Sequence, residues 1–112
     1  MSQLEPLSQE EKKWATLLND MLINYVGKEN SIPSSQLANN IGERFNTTVT
    51  GARIRKMIAY LRFEKKPICA SNKGYYWAKD NKELEDYAQS LRDRLLSTRQ
   101  TLLSIIETIK NG

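Results

Sequence analysis

Near the start of the chain the apolar residues recur at helical intervals. Trp14, Leu17, Leu18, Met21, Leu22 and Tyr25 fall at i, i+3, i+4, i+7, i+8 and i+11, a continuous stripe on one helix face. Ser8 and Glu11 stand before it at capping-box spacing, where hydroxyl and carboxylate each satisfy an orphan amide of the first turn. The pattern predicts a helix over about 9–26 that Gly27 stops, with its stripe in the core. Ile32-Pro33 is extended, because a proline pushes its predecessor out of the α region. Ser34 is placed to cap a second helix with Leu37, Ala38 and Ile41 inward and Phe45 as a further core candidate. Gly42 offers it an early end and Asn46 a later one. Thr50 caps a third helix, about 51–65, with Ile54, Met57, Ile58 and Leu61 as its buried stripe; Pro67 bars continuation.

Residues 68–71 and 75–78 are short β-prone runs around Asn72-Lys73-Gly74, where Asn and Gly tolerate the positive φ of a tight turn. Cys69 reads as a small strand-packed hydrophobe, since a reactive thiol needs exposure and nearby cations. Asp80 and Glu83 repeat the capping-box spacing and open a last helix, about 81–110. Along it Leu84, Ala88, Leu91, Leu95, Thr98, Leu102, Ile105 and Ile109 alternate steps of four and three, a heptad seam, which Leu96, Leu103 and Ile106 widen on one side. The expected fold is α+β: mainly helical, with a small hairpin and a long C-terminal helix. Its parts are a short arm at 1–7, a globular domain at 8–79 and a candidate oligomerisation element at 80–112.

Composition narrows the chemistry. At 112 residues the chain accommodates one domain and an appended element. No run approaches the ~18–20 apolar residues of a membrane span, and the first residues lack the basic-then-apolar pattern of a secretory signal. The expected location is therefore the cytoplasm, or the nucleoid. There is no His and only one Cys, which excludes a disulfide framework, a Cys/His zinc site and any nucleophile–histidine pair. No cofactor or metal is expected, and the balance points to a binder rather than an enzyme. Glu64, Glu85 and Asp86 read as solvated helix faces.

Charge sharpens that picture. From Arg44 to Lys79 nine basic residues stand against one acidic residue, Glu64, for a net of +8. The remainder carries eight basic and twelve acidic residues, a net of −4. A basic middle third in an otherwise acidic chain is the footprint of a polyanion-binding surface. At 100° per residue, the side of the third helix away from its apolar stripe holds Ala52, Lys56, Ala59, Tyr60 and Phe63, flanked by Arg53, Arg55 and Arg62. In a helix-turn-helix the second helix enters the major groove with its N-terminal turns on base edges. On that geometry Ala52 permits close approach, Arg53 and Lys56 reach guanine acceptors, and Arg55 or Arg62 take phosphates. Tyr60 and Phe63 have two readings, packing beneath the hairpin or last helix, or serving a partner surface.

The string at residues 54–62 (I-R-K-M-I-A-Y-L-R), followed by K-P-I-C-A-S-N-K-G-Y-Y at 66–76, resembles the winged helix-turn-helix family. The wing pattern is similar to that of the DNA-binding domain of the biotin operon repressor and its relatives, where "I-R-x-x-I-x-x-L-R" runs into "P-I-x-x-S-x-x-G-Y". Leu37-Ala38 and Ile41-Gly42 match the "L-A-x-x-I-G" of the preceding helix, and the resemblance covers about residues 10–79. It implies a recognition helix bearing Arg53, Arg55 and Lys56, with Lys73 at the wing tip. Tyr60, Arg62, Lys66 and Asn72 complete the expected DNA-contacting set. Residues 43–48 lengthen the usual turn before the recognition helix. By association, a compact winged helix with a long last helix and no effector domain also resembles small phage and prophage proteins.

Two functions follow as expectations. The first is regulatory or architectural binding of double-stranded DNA. The second is an adaptor whose basic face or Tyr60/Phe63 patch binds a replication or transcription protein. The seam of Leu84, Leu91, Leu95, Leu102, Ile105 and Ile109 further predicts a homodimer through the last helix. With Leu84 and Leu91 at d, Arg94 falls at g and Arg92 and Arg99 at e. A parallel pair then sets Arg94 near the partner's Arg99, which favours an antiparallel or bundled arrangement.

Overall fold

Three helices and a hairpin precede one long helix in the computed structural model, which describes residues 6–112. The helices are α1 (Gln9–Leu22), α2 (Ser34–Phe45) and α3 (Gly51–Phe63), the strands β1 (Ile68–Ser71) and β2 (Gly74–Trp77), and the last helix α4 (Asn81–Asn111). This is the expected α+β class. Most of the expected arm lies outside the described residues. Its last residue, Leu7, is buried in the core, so the folded domain reaches back before Ser8.

The core forms where α3 packs on α1 and α2. Trp14, Leu18 and Leu22 from α1 meet Leu37 and Ile41 from α2 and Ile54, Met57 and Ile58 from α3, and Ile32 and Ile68 close the hairpin side. Phe45 is exposed and lies outside this cluster. Ser8 and Glu11 form the capping box: the Glu11 amide donates to Ser8 Oγ at 3.1 Å and the Ser8 amide to Glu11 Oε1 at 3.0 Å.

Several boundaries differ from expectation, each for a hydrogen-bonding reason. α1 ends at Leu22, four residues early, because the backbone beyond it is taken by the sheet. Trp77 N donates to Tyr25 O at 2.8 Å, and Gly27 N to Trp77 O at 2.9 Å. After a 3-10 turn at Lys28–Asn30, Ile32 exchanges two further bonds with Tyr75. The segment between α1 and α2 thus lines the free edge of β2. Pro33, rather than Ser34, is the N-cap of α2, since its extended backbone already lets its carbonyl accept from Leu37 N. Asn46 ends α2 in the left-handed conformation. α3 is capped by Thr50 as expected, but stops at Phe63 because Lys65 turns left-handed and Lys66 N bonds back to Leu61 O.

The hairpin pairs Ile68 with Trp77 and Ser71 with Gly74, so its turn is the two residues Asn72 and Lys73. Of the turn residues expected to need positive φ, Gly74 alone has it. A β-carbon there would run into the Ile32 carbonyl oxygen, so this glycine lets the segment before α2 lie against β2. α4 is capped by Asp80, whose Oδ1 accepts from Glu83 N at 2.8 Å. The Glu83 carboxylate does not return to the cap amide. It accepts instead from Lys79 N at 2.9 Å and Lys28 N at 3.1 Å, tying α4 to the 3-10 turn.

Among the described residues the first turns of α4 are the ones that pack on the domain: Leu84, Tyr87 and Ala88 are half-buried, and every residue from Gln89 onward is exposed. Thirty-one residues at 1.5 Å per residue make a rod of about 46 Å. Most of it projects. No helix among the described residues is long and apolar enough to cross a membrane.

Candidate nucleic-acid interface

The basic residues of α3 fall into two groups according to what holds them. Arg53, Lys56 and Arg62 are engaged within the fold. Lys56 Nζ lies 2.9 Å from Glu11 Oε1, and the Glu11 side chain is only 5% exposed. Arg53 stacks on the Trp14 ring at 5.2 Å, with Nε 3.8 Å from Glu11 and Nη1 3.9 Å from Glu10. The bond from Lys56 and the Ser8 amide hold the Glu11 carboxyl below its ordinary value, outweighing the cost of burial. One carboxylate therefore caps α1 and anchors α3 to it.

Arg62 performs the same office at the other end of α3. Its Nε donates to Ile68 O and its Nη2 to Tyr87 Oη, both at 2.9 Å, and its guanidinium lies 5.5 Å from the Tyr87 ring centre. The residue expected to take a phosphate instead joins α3, β1 and α4. Tyr60 is half-buried and packs against the core, and a hydrogen bond to Glu64 raises its phenol above the ordinary value. These positions answer the two readings of the aromatic pair separately: Tyr60 packs inward, whereas Phe63 is 69% exposed.

What α3 presents outward is the stripe Ala52, Arg55, Ala59 and Phe63, all exposed and at helical spacing. The Arg55 side chain has no partner among the described residues. Small residues on both sides of it leave the helix backbone approachable. At the hairpin tip Asn72 and Lys73 are exposed, and Lys66 is exposed after α3. Beside the tip an open hollow of about 450 Å³ runs to the start of α2, lined by Pro33, Ser34, Ser35, Asn72, Lys73 and Gly74. The first amides of α2 carry no side-chain cap there.

The chain matches no family model, no curated protein and no solved structure.

Of the acidic residues at the start of α4, Asp80 accepts from Glu83 N, Glu83 accepts from Lys79 N and Lys28 N, and Asp86 pairs with Lys82 at 3.1 Å. Cys69 is fully buried, and burial pushes its thiol up, away from the thiolate. Sequence reading missed the roles of Glu11 and Tyr87 toward α3. The capping box signalled Glu11, but its ion-pair partner lies 45 residues away. Nothing local marks Tyr87.

Proposed function

We propose that the chain is a winged helix-turn-helix protein that binds double-stranded DNA, with two copies joined through α4. On this reading α3 enters the major groove on its Ala52–Arg55–Ala59 side, and the hairpin is the wing, its Lys73 on a phosphate. Arg55 carries the reading. It is the basic residue of α3 whose exposed side chain has no partner among the described residues, and it stands among small residues on the helix's open face. Supporting it are the +8 charge of residues 44–79 and the hollow between the wing tip and the uncapped start of α2, where a phosphate would meet free amides and Lys73.

The test is fluorescence anisotropy with random-sequence duplex DNA at two salt concentrations. Binding that weakens steeply as salt rises is expected, through release of counterions from the phosphates contacted. No binding at low salt, or binding indifferent to salt, overturns it. The exposure of Phe63 favours a second reading, a protein adaptor, and that outcome would move the search to Phe63.

A further inference from the structure

The part of the α4 seam left in water is symmetric about its own midpoint. Leu84 and Ala88 are half-buried at the domain, so the free seam begins at Leu91 and runs through Leu95, Thr98, Leu102 and Ile105 to Ile109. Its steps are four, three, four, three and four. Reversed, the series is the same, and its centre is Gln100. Leu95, Leu102, Ile105 and Ile109 are each more than half exposed, and Leu91 is 41% exposed, an apolar row too long for a helix with nothing against it.

We infer that the occupant of this row is the same row of a second copy, running antiparallel, with the twofold axis at Gln100. Antiparallel coiled coils oppose a positions to d positions, and this register does so throughout. Leu91 meets the partner's Ile109, Leu95 the partner's Ile105, and Thr98 the partner's Leu102. Every free seam residue has a counterpart, and the overlap starts just beyond the turns of α4 that pack on the domain.

Charge selects the same orientation. In a parallel pair each Arg94 at g approaches the partner's Arg99 at e, so two arginine pairs repel. Antiparallel packing sets e against e and g against g. Arg94 then faces the partner's Thr108, Arg92 lies along the partner's Ile106, and one arginine pair is left, Arg99 with its symmetry mate. Sliding the register one heptad toward the domain brings Arg92 to the partner's Arg99 twice and asks Leu84 and Ala88 to leave the domain. A slide the other way leaves Leu91 and Leu95 uncovered. Leu96 and Leu103, at b, flank the pair and can join two such pairs without altering it.

This inference rests on α4 as the association element of the proposed function and is independent of DNA. Its test is disulfide trapping in the full chain without DNA, using the buried Cys69 of the unsubstituted chain as the control that forms no disulfide. Leu91→Cys and Ile109→Cys chains, each oxidised alone, should stay uncrosslinked, and mixed they should yield a disulfide heterodimer. Thr101→Cys, which leaves the seam intact and sits beside the axis, should crosslink to itself, and Thr98→Cys should not. Self-crosslinking of Leu91→Cys and Thr98→Cys would establish a parallel pair and overturn the inference. So would a 12.9 kDa species for the unsubstituted chain in sedimentation equilibrium at high micromolar concentration. Loss of DNA binding with the crosslinking pattern retained would count against the DNA reading alone.

Discussion

Glu11 and Lys56 face each other at 2.9 Å across the junction of α1 and α3, and the same carboxylate accepts the Ser8 amide that caps α1. A local device for starting one helix is thereby made to fix the position of another. The carboxylate is almost wholly out of water, while the ammonium keeps about a quarter of its exposure. Of the two, the carboxylate has more to lose from separation, because lysine can turn to solvent and Glu11 cannot.

Replacing Lys56 by Met should therefore destabilise the domain. Met keeps the apolar stem but leaves the carboxylate with the Ser8 amide and the more distant Arg53. The expected cost is about 1–3 kcal/mol, that of a buried polar group deprived of a charged partner. Urea unfolding measures it, and an unchanged midpoint would mean that Arg53 or water takes over.

The same pair sets a pH dependence. The Glu11 carboxyl is held below its ordinary 4.5, so the unfolded chain takes up a proton there before the folded one does. Its contribution is complete above about 4.5 and disappears as the pH falls through the lower folded value. The stability gap between the unsubstituted chain and Glu11→Gln should be widest near neutrality and close in acid. A gap constant across that range would show that charge at Glu11 is irrelevant.

How far the fold was legible follows from the range of each interaction. Capping by Ser8, Thr50 and Asp80, the left-handed stop at Asn46 and the apolar stripes depend on neighbours within a few residues, and all form. The end of α1 depends on Trp77, more than fifty residues away, which claims the Tyr25 carbonyl. The site divides in the same way. Periodicity placed Lys56 and Arg62 away from the apolar stripe of α3, but a basic residue off the core stripe can still face a neighbouring helix. Lys56 meets α1 and Arg62 meets α4. Arg55, one position from Lys56, is rotated by 100° and has no partner among the described residues.

Arg62 and Tyr87 make a further prediction. Tyr87→Phe keeps the ring under the guanidinium and removes the 2.9 Å bond from Nη2. The loss should be about 0.5–1.5 kcal/mol. Hydrogen exchange should quicken in the first turns of α4 and leave α1 and α2 unchanged. Uniform quickening across the domain would contradict this local role.

Gly74→Ala should be more damaging than its size suggests. The added carbon meets the Ile32 carbonyl oxygen, and the position has φ of 140°. Either Ile32 withdraws from Tyr75 or the hairpin turn rearranges, at a cost above about 1 kcal/mol. Circular dichroism and thermal unfolding of the variant check it, and a melting temperature like that of the unsubstituted chain would refute the close approach.

The proposed DNA surface makes its sharpest prediction in the contrast between adjacent residues. Arg55→Ala removes an exposed side chain that has no partner among the described residues, so stability should stay within about 0.5 kcal/mol of the unsubstituted chain. On a preferred duplex found by selection from random sequence, binding should weaken by roughly 1–3 kcal/mol, and by much less on random DNA. Lys56→Met should do the reverse, lowering stability while leaving the affinity of the folded protein nearly unchanged, because its ammonium is already given to Glu11. Lys73→Ala should weaken binding to every sequence and make the salt slope shallower by about one. Arg53→Ala should fall between, since its side chain is half exposed but its guanidinium rests on Trp14 and near Glu11. Anisotropy at matched salt, read beside urea midpoints, separates the two effects. If Lys56→Met loses more affinity than Arg55→Ala at concentrations where both are folded, the DNA contacts lie on the α1 side of α3 and the outward stripe serves another purpose.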